Sequence, residues 1–243
     1  SDPPVQESAA DGTEGSVKGA FCASISRMSI PHSLQGLVVI GALALAAGPV
    51  LAQVGVRPAE QWIATLDSPE RVAGMRIPEL IDRLDVQKEM VVADVGAGSG
   101  VLTGPLALAT GPRGTVYASD IDPKLLAHVE QRAQASRLSN VRTVLGTFTD
   151  PRLPQQVDLA LMNDVLHHVE DKAGYIRTLS RSLKRGGRLA IVDFTAQGSP
   201  HKDSPELIVT EAQINEWAAA AGLERTQSFA LYTDRYFVVY TRR

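Results

Sequence analysis

The sequence predicts a doubly wound α/β fold, in which a seven-stranded, mostly parallel sheet ends in an antiparallel strand pair and is preceded by short helices. From residue 91 onward, short apolar runs alternate with helical segments, which is typical of parallel strands joined by crossover helices. The first run leads directly into a glycine-rich turn. The last two runs, Phe229–Leu231 and Tyr236–Tyr240, flank a short polar turn and predict a terminal hairpin.

The N-terminal part of the chain is predicted to lie outside this fold. Residues 1–33 are interpreted as a disordered or upstream extension, because residues 1–27 are rich in small and acidic residues. Within 34–53, seventeen uncharged residues end in a small-residue pattern, Val50-x-Ala52, which is typical of a cleavage site. We expect 34–53 to be a cleaved signal peptide, with an uncleaved membrane anchor or a buried helix as alternatives.

Residues 54–85 are predicted to form a helical cap segment of two short helices, with Asp67-Ser68-Pro69-Glu70 as a helix start. These helices either cover the sheet edge or cap a pocket. The domain of 86–243 follows, with its elements placed by apolar runs and by start and stop residues. Strands are predicted at 91–95, 115–119, 141–145, 157–162 and 188–194, and helices at 101–110, 123–137, 171–184 and 210–221.

Composition narrows the function classes. With 243 residues, 44% of them hydrophobic, the chain can bury one substantial core. Its formal net charge of −3 supplies no general attraction for nucleic acid, so no nucleic-acid partner is expected. Cys22 is the single cysteine, which rules out an intramolecular disulfide and a thiolate zinc cluster.

The glycine-rich turn points to a particular kind of cofactor. Gly96, Gly98 and Gly100 allow a sharp turn out of the strand and a close approach of backbone to a ligand. The spacing is Gly-x-Gly-x-Gly, whereas the dinucleotide fingerprint is Gly-x-Gly-x-x-Gly. Asp94 would disfavour a negatively charged pyrophosphate at this place, but it suits a cofactor that carries an ammonium or sulfonium group.

With these residues, the segment Val91–Gly100 resembles motif I of the class I S-adenosylmethionine (SAM)-dependent methyltransferases. The order of elements, five strands and then a hairpin, is similar to the seven-stranded sheet of that family. The resemblance implies S-adenosyl-L-methionine as the cofactor. It also implies cofactor contacts from the motif, namely from Asp94, Gly96, Ala97, Gly98, Ser99 and Gly100.

Two further segments match the family's cofactor site. Asp120, at the end of the second strand, is placed to accept hydrogen bonds from ribose hydroxyls, and Ile121 to cover the adenine. Asp122 competes for the acidic role, and Asp120 could merely end the strand or cap the next helix. Thr147 stands where the family usually has an Asp that recognises the adenine amine. Thr147 and Phe148 are therefore candidates, with an ordinary turn as the alternative.

The segment after the fourth strand resembles the family's Val-Leu-His-His-Val-x-Asp motif. Asn163 is expected to contact the cofactor through its backbone. Asp164 and His167 are three residues apart, so in a helical turn they would share a face toward the methyl acceptor, while His168 would point elsewhere. Asp164 and His167 are therefore the candidate catalytic residues, with structural packing as the alternative. A metal site formed by Asp164, His167 and His168 is disfavoured, and no metal is predicted.

These observations predict a SAM-dependent methyltransferase acting on a small-molecule acceptor that the sequence does not identify. A general base is needed only if the acceptor must lose a proton. The alternatives are a non-catalytic, membrane-tethered SAM-binding module and an NAD(P)-dependent oxidoreductase. The segment 34–53 predicts export to the periplasm or membrane association, and the chain is expected in the cytoplasm if that segment is not used. The oligomeric state is not predicted.

Overall fold

The computed structural model describes residues 58–243, so the predicted segments 1–33 and 34–53 lie outside the described residues. The helices of this part are α1 (Ala59–Leu66), α2 (Pro69–Gly74), α3 (Ile77–Leu84), α4 (Thr103–Thr110), α5 (Pro123–Ala135), α6 (Lys172–Ser182) and α7 (Glu211–Ala220). The strands are β1 (Val91–Val95), β2 (Thr115–Asp120), β3 (Val141–Leu145), β4 (Val157–Asn163), β5 (Leu183–Phe194), β6 (Leu223–Ser228) and β7 (Arg235–Arg242).

The seven strands form one sheet in the order β3-β2-β1-β4-β5-β7-β6. Strands β1 to β5 are parallel, and β7 runs antiparallel between β5 and β6. The predicted fold class is therefore confirmed. The chain leaves β1 toward β2 and later returns to its other side at β4, so the strand order reverses between β1 and β4. In open α/β sheets, ligands bind beyond the carboxyl ends of the strands at such a point.

The sheet is buried on both faces. Alternate residues of β4 belong to two separate apolar clusters: Ala160 and Met162 lie in one, and Leu159 and Leu161 in the other. Successive side chains of a strand point to opposite faces, so a strand covered on both sides needs an almost continuous apolar run. This requirement explains why β1 and β4 were recognisable in the sequence.

Residues 58–85, the described part of the predicted cap segment 54–85, contain three helices, whereas two were predicted. The Ser68 hydroxyl accepts a hydrogen bond from the Arg71 N–H and begins α2, as expected from the start signal. The unpredicted break lies at Arg76, whose φ of 46° is in the left-handed region and separates α2 from α3. No local pattern marks Arg76 for that conformation. Leu80 and Leu84 of α3 are fully buried against the sheet.

The predicted first strand of the hairpin was wrong. The structure places β6 at Leu223–Ser228, and Phe229 and Leu231 follow it as partly buried residues that pack on the core. As the edge strand, β6 is exposed at every residue after Leu223, so it has no apolar run to detect. Strand β5 is also longer than predicted, because it begins at Leu183 rather than at residue 188.

No helix within residues 58–243 has the length and apolar character required to cross a bilayer.

Candidate active site at the carboxyl edge of the sheet

A cavity of about 200 Å³ lies where the strand order reverses, at the carboxyl ends of β1, β2 and β4. Helices α1 and α2 close it from the other side. Its lining includes most residues that the sequence singled out, together with side chains from the N-terminal helices. These lining residues include Trp62, Leu66, Arg71, Met75, Asp94, Gly96, Ala97, Gly98, Ser99, Asp120, Ile121, Thr147, Phe148, Asn163, Asp164, Val165, His168, Val169 and Tyr175.

The glycine-rich turn is tied to the neighbouring strand β2. The backbone N–H groups of Gly96 and Ala97 donate to the Ser119 carbonyl at 2.8 and 3.0 Å. Gly96 has a φ of +71°, and a Cβ there would lie 2.5 Å from a Val165 methyl carbon. Only glycine therefore fits between the turn and the segment after β4. Gly100 does not line the cavity; its N–H donates to the Ala97 carbonyl and closes the turn.

Asp94 is a buried carboxylate with a single neutral hydrogen-bond donor. It is 3% exposed, lines the cavity, and accepts a hydrogen bond of 2.6 Å from the Thr103 hydroxyl. Burial raises the pKa of Asp94 to about 6, with a smaller contribution from the nearby charge of Asp120. Within the part of the chain that the structure describes, no cation pairs with it.

Asp120 lies at the end of β2 with both oxygens held in place. Its carboxylate accepts hydrogen bonds from the N–H groups of Gly98 at 2.8 Å and Asp122 at 3.0 Å. Burial raises the pKa of Asp120, although these two donors oppose the shift. The Asp122 side chain accepts from the Lys124 N–H and caps α5. The two acids thus have different partners, and both line the cavity.

Thr147 and Phe148 line the cavity from the turn after β3. The Thr147 N–H donates to the Asp150 carbonyl at 2.7 Å, and the Asp150 N–H donates to the Thr147 hydroxyl at 3.0 Å. The ordinary turn that was the alternative interpretation is therefore present. The Thr147 hydroxyl forms its hydrogen bond within the turn. Phe148 is 45% exposed and lies beside the cavity.

Asp164 is buried between two arginines. It accepts hydrogen bonds from Arg71 of α2 at 3.1 Å and from Arg235 of β7 at 2.8 Å, and its side chain is 7% exposed. Its φ of +56° places it in the left-handed region immediately after β4. Arg71 lines the cavity beside it. Sequence reasoning missed both arginines, because each is distant in the chain and neither lies in a motif.

Asp164 and His167 do not share one face, contrary to the expectation. The chain turns at Asp164 before the short 3₁₀ turn Leu166–His168, so the helical spacing does not apply. His167 points away from the cavity into the interior, where its Nδ1 lies 2.6 Å from Asp193 Oδ1. His168 lines the cavity, although it was expected to point elsewhere. Burial, aided by the neighbouring His167 and His201, lowers the pKa of His168 to about 4.

Asn163 approaches the cavity with an unsatisfied donor. It is 9% exposed, and its side-chain Nδ2 has no hydrogen-bond partner among the described residues. The sequence predicted that the Asn163 backbone contacts the cofactor, whereas in the structure it is the side-chain amide that has an unused hydrogen-bond donor. A buried amide without a partner is rare and costs free energy, so a ligand oxygen would satisfy it.

The site fits a cofactor that is cationic in one part and rich in hydroxyl groups in another. Asp94 is a buried carboxylate without a cation, and Asp120 is an oriented acceptor at the next strand end. A family model described as a methyltransferase domain matches residues 86–230. This chain belongs to the class I SAM-dependent methyltransferases. An oxidoreductase, which would share the glycine turn and the acidic strand end, is therefore not its class.

Sequence relatives and solved structures agree with this family. A demethylmenaquinone methyltransferase of Geobacillus sp. is 28% identical over 47% of this chain and 50% of its own length. An uncharacterised protein of a Streptomyces fradiae transposon is 32% identical over 67% of this chain and 47% of its own length. The chain spans about half the length of the curated relatives it matches.

A SAM-dependent methyltransferase from Aquifex aeolicus superposes with a TM-score of 0.69 at 21% identity, covering 77% of this chain and all of the other. A magnesium protoporphyrin IX methyltransferase from Synechocystis, solved with bound SAM, gives 0.56 at 20% identity, covering 77% and 85%. At these identities the superpositions show the shared fold alone. The cofactor of this family is S-adenosyl-L-methionine.

One further carboxylate, that of Asp67, joins the N-terminal helices to the glycine turn. Asp67, between α1 and α2, accepts a hydrogen bond from the Ser99 hydroxyl at 2.6 Å and pairs with Arg132 of α5 at 2.8 Å. The sequence identified Asp67 only as part of a helix start. These contacts, like those of Trp62 and Leu66, make α1 and α2 part of the cavity wall, while α3 covers the sheet.

Proposed function

We propose that this methyltransferase transfers the methyl group of SAM to a small, largely apolar acceptor enclosed between the glycine turn and helices α1 and α2. The observation that carries the proposal is the wall of the cavity opposite the sheet. It is formed by Trp62, Leu66 and Met75 from the N-terminal helices, with Val165 and Val169 beside them. Such a wall favours an apolar molecule over a peptide or a nucleic acid.

The carboxylates divide the cofactor between them in this proposal. Asp120 accepts from the ribose hydroxyls, Ile121 and Phe148 cover the adenine, and Thr147 borders its amine. Asp94 lies on the side of the positively charged methionine part, where Asn163 supplies a donor to an oxygen. When bound, SAM supplies an electrophilic sulfonium methyl group. The turn residues Gly96, Ala97, Gly98 and Ser99 shape the floor beneath it.

The chain's own contribution to the reaction is alignment and the exclusion of water. The charge of Asp164 is already neutralised by two guanidinium groups. His167 is hydrogen-bonded to Asp193 outside the cavity. We therefore assign positioning roles to both. His168 faces the cavity in its neutral form, but its lowered pKa makes it a weak base. An acceptor with an acidic or already ionised nucleophile suits this site, because alignment alone supplies a large share of such a rate enhancement.

Labelled methyl transfer tests the proposal. Full-length protein with radiolabelled SAM is offered three acceptor sets: reduced quinones and apolar phenols, peptides, and RNA. The names of the menaquinone-pathway relatives make reduced quinones a reasonable first set. We expect label in the first set alone. Label in peptide or RNA alone would contradict the proposal. If the protein binds SAM but transfers no label to any of the three sets or to cell extracts, the result would support the non-catalytic alternative.

We also propose that the segment 34–53 directs the chain to the membrane or through it. The seventeen uncharged residues and the Val50-x-Ala52 pattern support this proposal. Cell fractionation followed by N-terminal sequencing tests it. A mature chain beginning at Gln53 would support cleavage and export. A cytoplasmic protein that retains the segment would contradict both export and anchoring.

A further inference from the structure

Three histidines from two segments lie close together, and one of them, His168, also lines the cavity. His167 and His168 lie in the 3₁₀ turn after β4, and His201 comes from the loop after β5. The ring centroids of His167 and His168 are 4.0 Å apart, and those of His201 lie 5.4 and 5.6 Å from them. One ring nitrogen from each histidine lies within 4.8 Å of the other two.

The hydrogen bonding of these rings leaves nitrogens available. His167 Nδ1 lies 2.6 Å from the buried carboxylate of Asp193, which also accepts from the His167 backbone N–H. That carboxylate makes Nδ1–H the donor and leaves Nε2 with a lone pair. No hydrogen bond from any described residue reaches a ring nitrogen of His168 or His201. A carboxylate that orients a histidine by its second nitrogen is the usual partner of a metal-binding imidazole.

We propose that His167, His168 and His201 bind one divalent transition-metal ion of the Zn²⁺ type, with Asp193 orienting His167. Three imidazoles suit Zn²⁺, Co²⁺ or Ni²⁺ and disfavour Mg²⁺ and Ca²⁺, which prefer oxygen. With metal–nitrogen bonds of about 2.0 Å, tetrahedral geometry requires nitrogens about 3.3 Å apart. The three nitrogens lie within 4.8 Å of one another, so metal binding requires the rings to move closer, and His201 is on a partly exposed loop where its side chain has room to rotate.

The site differs from the one that the sequence disfavoured. That earlier set used Asp164, which is engaged by Arg71 and Arg235. His201 is the ligand that local sequence spacing did not reveal. A bound ion would fasten the loop of His201 to the turn after β4, beside the cavity that His168 lines. Three protein ligands also leave a fourth position for water or for a donor atom of the acceptor.

Calorimetric titration of the metal-free, full-length protein with Zn²⁺, without SAM, tests the site. We expect one saturable site with a dissociation constant in the micromolar range or below. H201Q and H168Q should each weaken binding by more than about tenfold, while D193N should weaken it by roughly 10–100-fold through loss of orientation. H128Q is the matched control, because His128 lies on α5 outside the cluster, and its titration should equal that of the wild type.

A second measurement guards against variants that fold poorly. Co²⁺ in a four-coordinate site gives intense visible absorption bands, so the wild-type complex should show them and H201Q should not. Circular dichroism of H201Q should match the wild type, because His201 lies in a partly exposed loop. The proposal is overturned if the wild type binds no Zn²⁺ saturably. It is equally overturned if well-folded H201Q and H168Q bind Zn²⁺ as tightly as the wild type.

Discussion

Asp94 and Asp164 are two buried carboxylates at the ends of neighbouring strands, and their surroundings are opposite. Asp94 has only the Thr103 hydroxyl as a side-chain donor, and burial raises its pKa to about 6. Asp164 lies between the guanidinium groups of Arg71 and Arg235. Both residues line the same cavity.

The difference in charge pairing indicates which of the two carboxylates would be stabilised by a cationic ligand. A buried charge is tolerated when it is paired, and an unpaired one destabilises the fold. Asp164 is balanced within the protein and holds α2 and β7 to the turn after β4. Asp94 lacks a balancing cation among the described residues, so a cationic ligand would relieve its cost. The comparison therefore supports the proposal that Asp94 contacts the cofactor, whereas Asp164 holds the wall of the cavity together.

The largest effect, on the free energy of unfolding, is expected from breaking the ion pairs of Asp164 with Arg71 and Arg235. D164N leaves two guanidinium groups without their carboxylate, and breaking such a buried pair costs about 3 kcal/mol of unfolding free energy. Urea denaturation at pH 7.5 measures it. R71M/D164N/R235M, which removes all three charges and keeps a side chain that tolerates the left-handed backbone at position 164, should recover part of the loss. A D164N variant as stable as the wild type would show that the pair does not hold the fold.

A smaller effect, on SAM affinity, distinguishes the roles of the neighbouring residues Asp120 and Asp122. D120N should weaken SAM binding by about 10–30-fold, since a charged acceptor for ribose hydroxyls is worth roughly 1.5–2 kcal/mol more than a neutral one. D122A is the matched control, because Asp122 caps α5. It should lower stability by about 1 kcal/mol and leave SAM affinity near that of the wild type. The reverse pattern would move the ribose site to Asp122.

The pH dependence of stability sharpens the comparison further. Since the pKa of Asp94 is raised from 3.8 to about 6, the folded state holds a proton there that the unfolded state has lost. Its contribution to stability therefore falls as pH rises from about 4 to 6 and stays low above that. The wild type minus D94N difference isolates this effect, because His168 titrates in both proteins. A difference that stays flat across this range would contradict the raised pKa.

Parts of this site could be predicted from sequence because their reasons are local. Asp94 is the last residue but one of β1, Asp120 is the last residue of β2, and the glycine turn follows β1, which begins with the apolar run Val91–Ala93. Arg71, Arg235 and His201 could not be predicted, since each becomes relevant only when distant segments pack together. The position of strand β6 was predicted wrongly because an exposed edge strand has no apolar pattern in its sequence. The left-handed turn at Asp164 likewise separated that residue from His167.

D94N tests the central claim most directly, because one variant should move two quantities in opposite directions. Asn keeps an oxygen for the Thr103 hydroxyl but removes the charge. Calorimetry should show SAM affinity reduced at least about tenfold, from loss of a charged partner. Denaturation of the cofactor-free protein at pH 8 should show stability increased on the order of 2 kcal/mol. Unchanged SAM affinity, or a D94N protein less stable than the wild type, would contradict the account.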